Sequence, residues 1–442
     1  MYINFWYPMV RSEDLGPDKP ERAKVLGLNF AIFRDSKGNA HVLSDTCVHR
    51  GGSIGGAWEL GKNPRIQGDC VVCPYHGWEF GGDGECKNVP SIGYGTKPPP
   101  RAKVDAYPTV EKYGIVFAFL GDLPENERPP LLEIEEYAHA GWRANSVLVL
   151  EVDYYYERSI ENGLDPAHNE FVHPTHGFKG INRETYKVRE YDVENYPQNW
   201  GMWFIHRFDS PGLGDKTWKP VEATAGAPGD VYAGSGTHGP NTMITEINVG
   251  KGQKFRQYFF EQPVDQNKTR IFFVNMRNFM LEPHHDGPVH ARNKVIAQQD
   301  IEILVDVYPP RTPTSNTKEV LMPADKAVVA YREWLTKFDD KGWRIDWDEF
   351  TRRNGKDTAY AIPSPRRRGS GNWVLEPVPL LTNRAERKAL VTDLIDKIKV
   401  KRQQLMDKFD VDSDGELNSE EKARLREYLR SRIRGETADN NR

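Results

Sequence analysis

The chain has 442 residues, enough for two or three domains and a large apolar core. Its 60 basic residues nearly balance its 64 acidic residues, which excludes the charge signature of a nucleic-acid or anionic-membrane binder. No apolar run reaches the length of a membrane span, the N-terminus has no signal pattern, and there are only four cysteines, so we expect a cytoplasmic protein.

The first predicted elements are β-strands. Residues 24–34 alternate as a strand, residues 35–39 (DSKGN) have hairpin-turn composition, and residues 40–43 form the return strand. Residues 110–120 (VEKYGIVFAFL) predict a strand pair that closes a small all-β domain. Two proline-rich stretches follow, and we place the domain boundary at residue 133.

Two short motifs in this domain have the composition of a metal site. Cys47 and His49 form a C-x-H pair, and Cys73 and His76 form a C-x-x-H pair. Two thiolates and two imidazoles are the ligand set of a Rieske [2Fe–2S] cluster, although a structural zinc ion accepts the same donors. Glycines flank both pairs, so backbone N–H groups can approach bridging sulfides, which favours the cluster. Cys70, in a strand-like run, is expected to be a small buried residue, and a Cys70–Cys86 disulfide is possible but disfavoured in the cytosol.

The sequences CVHRGG and CPYHGWEF, within residues 45–80, resemble the Rieske domain of Rieske non-heme iron oxygenases. Twenty-three residues separate His49 from Cys73, a longer linker than is usual in that family. We interpret residues 57–68 as an inserted surface loop, because glycine, asparagine and proline punctuate them.

Residues 134–381 have a mixed pattern. Strand-like runs are predicted at 146–156, 201–208, 241–249, 254–262 and 269–279, and helix-like runs at 159–171, 290–307 and 325–338. The fold class is therefore α+β: an N-terminal all-β domain, then an antiparallel sheet flanked by helices, which the resemblance implies is helix-grip-like.

A second metal motif lies in the first of these helical runs. Asn162, Asp165 and His168 are three residues apart and would share a helical face, and His173 would reach the same metal if Pro166 bends the helix. Asp300 falls within the apolar stripe Ile296, Ile303, Leu304 and Val307, where a carboxylate needs a partner; Glu302 is the alternative. His168, His173 and Asp300 would form the 2-His-1-carboxylate triad of non-heme Fe(II) oxygenases.

The same family resemblance extends over this region, through the D-x-x-H-x-x-x-x-H pattern of residues 165–173 and the sequence QQDIEILVDVYPP. It implies that Asp165 is a bridge rather than a ligand, linking His168 to His76 of a neighbouring subunit so that electrons pass between the two iron centres. Asp165 and Asn162 are the predicted catalytic residues beside the iron ligands. For each residue alone, a core histidine or a helix cap is the ordinary alternative.

Residues 382–442 are highly charged and predict a helix–loop–helix. The loop matches the EF-hand calcium pattern at each position, with oxygen ligands from Asp410, Asp412, Asp414, Glu416, Asn418 and Glu421 and a sharp turn at Gly415. A charged turn between two helices is the simpler alternative. The family resemblance does not cover this segment.

The combined prediction is the terminal oxygenase component of a Rieske system, which activates O₂ to hydroxylate or demethylate a small aromatic or heteroaromatic substrate. The resemblance implies a flavin/iron–sulfur reductase or ferredoxin as electron donor and a homotrimer or a multiple of it. The alternatives are a Rieske electron carrier without catalytic iron and a calcium-responsive binding module. Candidate pocket residues from the strand-like runs are Tyr155, Trp203, His206, Phe259 and Phe273, although residues of these types are more often in the core than in a pocket.

Overall fold

The computed structural model describes residues 1–58, 64–173, 184–195, 200–207, 232–250, 252–313, 315–411 and 415–433. Contacts divide the chain into two compact units, Met1–Phe338 with Trp343–Leu381 and Asp339–Gly342 with Thr382–Arg442. Among the described residues, no helix is both long enough and apolar enough to cross a bilayer.

The N-terminal region is built from antiparallel strands, as predicted. They are β1 (Phe5–Arg11), β2 (Glu21–Val25), β3 (Leu28–Arg34), β4 (Ala40–Ser44), β5 (Ile66–Gln67), β6 (Cys70–Val72), β7 (Glu79–Gly81), β8 (Cys86–Asn88), β9 (Ala106–Tyr107), β10 (Thr109–Lys112) and β11 (Ile115–Leu120). They form three small sheets, with orders β1-β11-β10, β2-β3-β4-β9 and β5-β6-β7-β8.

Local turn chemistry explains the hairpins. The Asp35 carboxylate accepts hydrogen bonds from the backbone N–H groups of Lys37 and Asn39 and so closes the β3–β4 turn. The single strand predicted for residues 24–34 is wrong, because Leu26 and Gly27 adopt positive φ and reverse the chain between β2 and β3.

The predicted surface loop at residues 57–68 is also only partly correct. Residues 66–67 form β5, which pairs with β6. The preceding Arg65 is buried, and its guanidinium donates to the carbonyl oxygens of Ile54, Gly56, Trp58 and Val72. Residues 59–63 lie outside the described residues.

The second region contains one large antiparallel sheet. Its strands are β12 (Arg143–Ala144), β13 (Leu148–Val152), β14 (Glu194–Asn195), β15 (Met202–Arg207), β16 (Tyr232–His238), β17 (Thr242–Gly250), β18 (Gln253–Pro263) and β19 (Thr269–Arg277). The order is β12-β19-β18-β17-β16-β15-β14, and β13 also pairs with β19. The helices of this region are α1 (Tyr156–Gly163), α2 (Asn169–Val172), α3 (Asp286–Leu304) and α4 (Lys326–Asp340).

The two faces of the large sheet pack differently. Side chains of one face, including Tyr258, Phe260 and Phe272, form a cluster with Ile115 and Phe117 of β11. On the opposite face, Phe259 and Ile271 pack with Ile301 and Leu304 of α3. The sheet therefore separates the N-terminal domain from the helical layer that carries the predicted iron ligands.

After α4, the chain returns to the N-terminal domain. The segment after α4 contains α5 (Trp347–Arg353), β20 (Tyr360–Ala361) and β21 (Glu376–Pro377). Asp105, which is fully buried, accepts two hydrogen bonds from the Arg367 guanidinium and one from the Ser364 hydroxyl. Residues assigned to the second domain from sequence thus pack on the first.

The second unit contains two helices, α6 (Arg384–Phe409) and α7 (Ser419–Ile433). The rings of Phe409 and Tyr428 pack with centroids 5.4 Å apart, which joins the two helices beside the loop. The predicted helix–loop–helix is present.

Candidate metal centres

The first centre is built from two loops with the same hydrogen-bond pattern. In one loop Cys47 N–H donates to Gly52 O, and Gly51 N–H donates to Cys47 O. In the other, Cys73 N–H donates to Trp78 O, and Gly77 N–H donates to Cys73 O. Gly51 and Gly77 have φ values of 71° and 72°, a conformation that favours glycine.

These loops place the two cysteine sulfurs of the predicted ligand set in the interior and the two imidazoles at the surface. Cys47 and Cys73 are buried, whereas His49 and His76 are exposed, with ring centroids 4.3 Å apart. The indole of Trp78 stacks on His49 at 4.7 Å. Hydrogen bonding from the Cys47 thiol and from the N–H groups of Tyr75 and His76 lowers the pKa of Cys73 to about 6.

This arrangement fits a Rieske cluster. The two sulfurs lie side by side with N–H donors around them, as a thiolate-bound iron and its sulfides require. A Cβ on Gly52 would lie 3.3 Å from Cys73 Sγ, so glycine leaves room at the sulfur end. Cys70 and Cys86 are both unbridged thiols; Cys86 is buried, whereas Cys70, predicted to be buried, is only half-buried.

The second centre forms where the predicted helix 159–171 is interrupted. α1 ends at Gly163, and a short segment containing Pro166 leads into the one-turn helix α2. Asn162, Asp165 and His168 therefore do not share one helical face. This break turns both histidines toward α3, and it corresponds to the bend at Pro166 that was predicted to bring His173 to the same metal as His168.

His168, His173 and Asp300 converge in this layer, with ligand atoms all within 4.8 Å of one another. Asp300 Oδ1 lies 3.1 Å from His173 Nε2 and 3.7 Å from His168 Nε2. Two imidazole nitrogens and a carboxylate at this spacing suit a divalent ion of the ferrous type. Among the described residues, no other group of three metal-binding side chains comes so close together.

Each side chain of the triad has a hydrogen-bonding partner. Asn162 Nδ2 donates to Asp300 Oδ1 at 3.0 Å. His168 Nδ1 lies 2.5 Å from the backbone oxygen of Asp165, and His173 Nδ1 lies 3.0 Å from Gln299 Oε1. A proton on each Nδ1 leaves each Nε2 free to bind a metal. Gln299 was not predicted, because in sequence its only signal is its position next to Asp300.

Burial and neighbouring charges shift the pKa values of the three triad side chains in opposite directions. Burial lowers the pKa of His168, although Asp300 and Asp165 favour its protonated form. Burial also opposes charge on His173, but the hydrogen bond to Asp300 raises the pKa of His173 above its usual value. For Asp300, burial is outweighed by the bonds from His173 and Asn162, and its pKa is lowered. The carboxylate therefore stays ionised, as a metal ligand must be.

Two details of the prediction for α3 are wrong. Glu302, the alternative ligand, is exposed and accepts a hydrogen bond from Gln298. Ile303, placed in the apolar stripe, is 53% exposed, and Ile301 packs in the core instead. The stripe inferred from sequence was rotated slightly from the face that α3 buries.

The predicted pocket residues do not all lie on the same face of the large sheet. Phe259 packs with α3, and its ring is 4.6 Å from that of Phe273. His206 is buried on the strand face that also carries Phe204, and burial lowers its pKa to about 4. Trp203 points to the opposite face, and Tyr155 is a core residue that bonds Glu157. Phe259, Phe273 and His206 therefore lie on the face of the sheet opposite to the one that packs on β11.

The predicted calcium loop is described except for residues 412–414, so Asp412 and Asp414 lie outside the described residues. Glu421 is buried, and its two oxygens accept from the N–H groups of Val411 and Asn418. Asp410 Oδ2 accepts from Gly415 N–H, and Gly415 has a φ of 84°. The side chain of Asn418 caps the start of α7. Glu416 follows Gly415 in the loop and precedes Asn418.

Two family models match the chain. Residues 5–108 match the Rieske [2Fe-2S] domain, and residues 152–340 match the vanillate O-demethylase oxygenase C-terminal domain. The first match contains all four predicted cluster ligands, and the second contains His168, His173 and Asp300.

Curated relatives match over part of their length. The chain is 35% identical to chlorophyllide a oxygenase of Chlamydomonas reinhardtii, over 75% of this chain and 47% of that protein. It is 30% identical to the oxygenase component of a 3-ketosteroid-9-alpha-monooxygenase of Rhodococcus rhodochrous, over 38% of this chain and 43% of that protein. The chain thus spans less than half the length of these two relatives.

Solved structures share the fold. NdmA of Pseudomonas putida CBB5, solved with caffeine, superimposes with a TM-score of 0.61 at 21% identity, over 75% of this chain and 89% of that one. Dicamba monooxygenase bound to dicamba gives a TM-score of 0.59 at 19% identity, over 76% and 96%. With the two domain matches, these findings identify the chain as a homologue of the Rieske oxygenases, with a Rieske [2Fe–2S] domain followed by an oxygenase C-terminal domain.

Proposed function

We propose that the chain is the terminal oxygenase component of a Rieske system, which hydroxylates or oxidatively demethylates a small aromatic or heteroaromatic molecule. The observation that carries the proposal is the convergence of His168, His173 and Asp300 within 4.8 Å in a chain that also has a Rieske domain. A pure electron carrier would have no use for this second site.

In this proposal, a ferrous ion held by the triad supplies the site of O₂ reduction. The residues of the chain perform the remaining tasks. Asn162 holds the Asp300 carboxylate by its hydrogen bond, and the carbonyl of Asp165 fixes the proton of His168 on Nδ1. Phe259 and Phe273 offer an apolar wall on the α3 side of the sheet, suited to a flat ring.

The cluster end receives electrons from a reductase or ferredoxin in this scheme. Because His49 and His76 are exposed, they can face a partner protein. We further propose a head-to-tail homotrimer, or a multiple of it, in which Asp165 of one subunit contacts the His76 edge of the next. Within its own chain, Asp165 Oδ1 accepts from the N–H of Ala167, and we propose that the second carboxylate oxygen makes the contact with the neighbouring subunit.

Calcium binding by residues 410–421 is a second proposal. Gly415 in the left-handed conformation and Glu421 buried at the last loop position are the features that an EF-hand loop requires. Calcium would neutralise the acidic side chains of the loop and stabilise the α6–α7 unit.

Metal analysis tests the oxygenase proposal. His173→Ala should retain the Rieske EPR signal and lose the mononuclear iron and substrate-dependent O₂ uptake, because it removes one of three ligands. Wild-type protein should contain three irons per chain, two in the cluster and one in the triad. His284→Ala, which alters an exposed histidine before α3, is the matched control. Wild-type protein with two irons per chain would support the electron-carrier alternative.

A further inference from the structure

Both ring nitrogens of His173 face consecutive residues of α3. Nε2 lies 3.1 Å from Asp300 Oδ1, and Nδ1 lies 3.0 Å from Gln299 Oε1. One rigid helix therefore supplies both the third metal ligand and a hydrogen-bond partner for the second. The ring is 3% exposed, so water cannot readily replace either contact.

The two histidines of the triad differ in how they are oriented. The partner of His168 is the backbone oxygen of Asp165, three residues away in the same short segment. The partner of His173 comes from 126 residues further along the chain. His173 directly follows α2, a helix of only four residues, so its local backbone provides little rigidity.

We propose that Gln299 is the positioning residue that orients His173 for metal binding. This inference rests on the proposed iron site. The Gln299 carbonyl oxygen accepts the Nδ1 proton of His173, which selects the tautomer with a free Nε2 and directs that nitrogen toward His168 and Asp300. An ordinary structural hydrogen bond would stabilise the fold without affecting the metal.

Metal affinity distinguishes these two roles without reference to turnover. In Gln299→Leu, the volume is retained but the acceptor is lost, and we expect Co(II) and Fe(II) to bind about 10–100-fold more weakly. The visible ligand-field spectrum of the Co(II)-loaded protein should also change, because one imidazole is no longer fixed. Gln299→Glu keeps an acceptor and should restore affinity to within a few-fold of wild type.

Gln298→Leu is the matched control, since this neighbouring glutamine is exposed and bonds Glu302 instead of His173. It should leave metal affinity, the Co(II) spectrum and the Rieske signal unchanged. If Gln299→Leu binds Co(II) as tightly as wild type with the same spectrum, the positioning role is wrong. If wild-type protein itself binds neither metal at this site, the proposed iron centre fails instead, so the two failures are distinguishable.

Discussion

At the scale of single residues, Asp165 is a half-buried carboxylate with contacts inside its own chain and a proposed contact outside it. Its backbone oxygen bonds His168, and its Oδ1 accepts from the N–H of Ala167. The helix-cap alternative is wrong, because the N-cap of α2 is His168 and has no side-chain cap bond; the contact with Ala167 still fixes Asp165 independently of any bridge. The second carboxylate oxygen is the one proposed to contact a neighbouring subunit.

Asp165→Asn isolates that proposed bridge. The amide keeps an oxygen for Ala167 N–H and leaves the backbone bond to His168 intact, so both metals should remain. Turnover should fall about 10–100-fold, because the negative charge and one acceptor between the two centres are lost. Rapid single-turnover measurement of cluster oxidation checks this, with Asp306→Asn, an exposed carboxylate after α3, as control. Near-normal electron transfer in Asp165→Asn would contradict the bridging role.

At the scale of elements, α1 is attached to the large sheet by a buried carboxyl group. Ser159 Oγ of α1 donates to Glu261 Oε1 of β18 at 2.8 Å. Glu261 is fully buried, and burial raises its pKa to about 8, so the folded protein holds it as a neutral acid at pH 7. Because α1 contains Asn162 and ends at the break before His168, this contact helps place the segment that carries the iron ligands.

A neutral buried Glu261 makes stability depend on pH. The unfolded chain releases this proton near pH 4.5, whereas the folded chain keeps it until about pH 8. The unfolded state therefore binds fewer protons in that window, and the free energy of unfolding falls as pH rises, by up to about 1.4 kcal/mol per pH unit.

Glu261→Gln removes this titration while keeping the acceptor for Ser159. We expect the variant to lose stability less steeply than wild type between pH 5 and pH 8 and to be the more stable of the two at pH 8. Urea unfolding at several pH values measures the difference, and Glu282→Gln, at an exposed site before α3, controls for loss of an acid. Parallel pH profiles for wild type and Glu261→Gln would show that Glu261 is ionised in the folded state.

At the scale of the whole molecule, the Rieske and oxygenase regions belong to one compact unit and the α6–α7 segment to another. The buried Asp105–Arg367 ion pair illustrates the first point, because it joins residues 262 apart in sequence. The second unit has its own small interface around Phe409 and Tyr428. Its stability should therefore respond to its own ligand.

Calcium removal tests this independence. With chelator, the α6–α7 unit should melt at a lower temperature, while the Rieske spectrum stays unchanged. Calcium at about 100 times its Kd would restore about 2.7 kcal/mol by mass action. Glu421→Gln should mimic the chelator, whereas Glu427→Gln, on the exposed side of α7, should not. If calorimetry detects no calcium binding to the intact protein, residues 410–421 are a charged turn between two helices and not a calcium site.

The sequence by itself determined the parts of this protein whose geometry is local. The C-x-H and C-x-x-H pairs predict their two loops, because glycine at fixed offsets sets the turn, and the confirmed β10–β11 pair follows from alternation around Tyr113 and Gly114. His168 and His173 could be predicted as ligands for the same reason. In each case the residues of the motif lie within a few positions of one another in the chain.

Tertiary structure decided how the distant groups meet these motifs. Asp300 was predicted ahead of Glu302 from the apolar stripe, but only the packing of Ile301 and Leu304 against the sheet sets the helix rotation that brings Asp300 to the histidines. Glu261 had no sequence signal and Gln299 had only its position next to Asp300, since the role of a buried polar residue depends on the groups that cover it. Long-range packing sets the rotation of α3 and the burial of β18, and residue spacing does not encode either one.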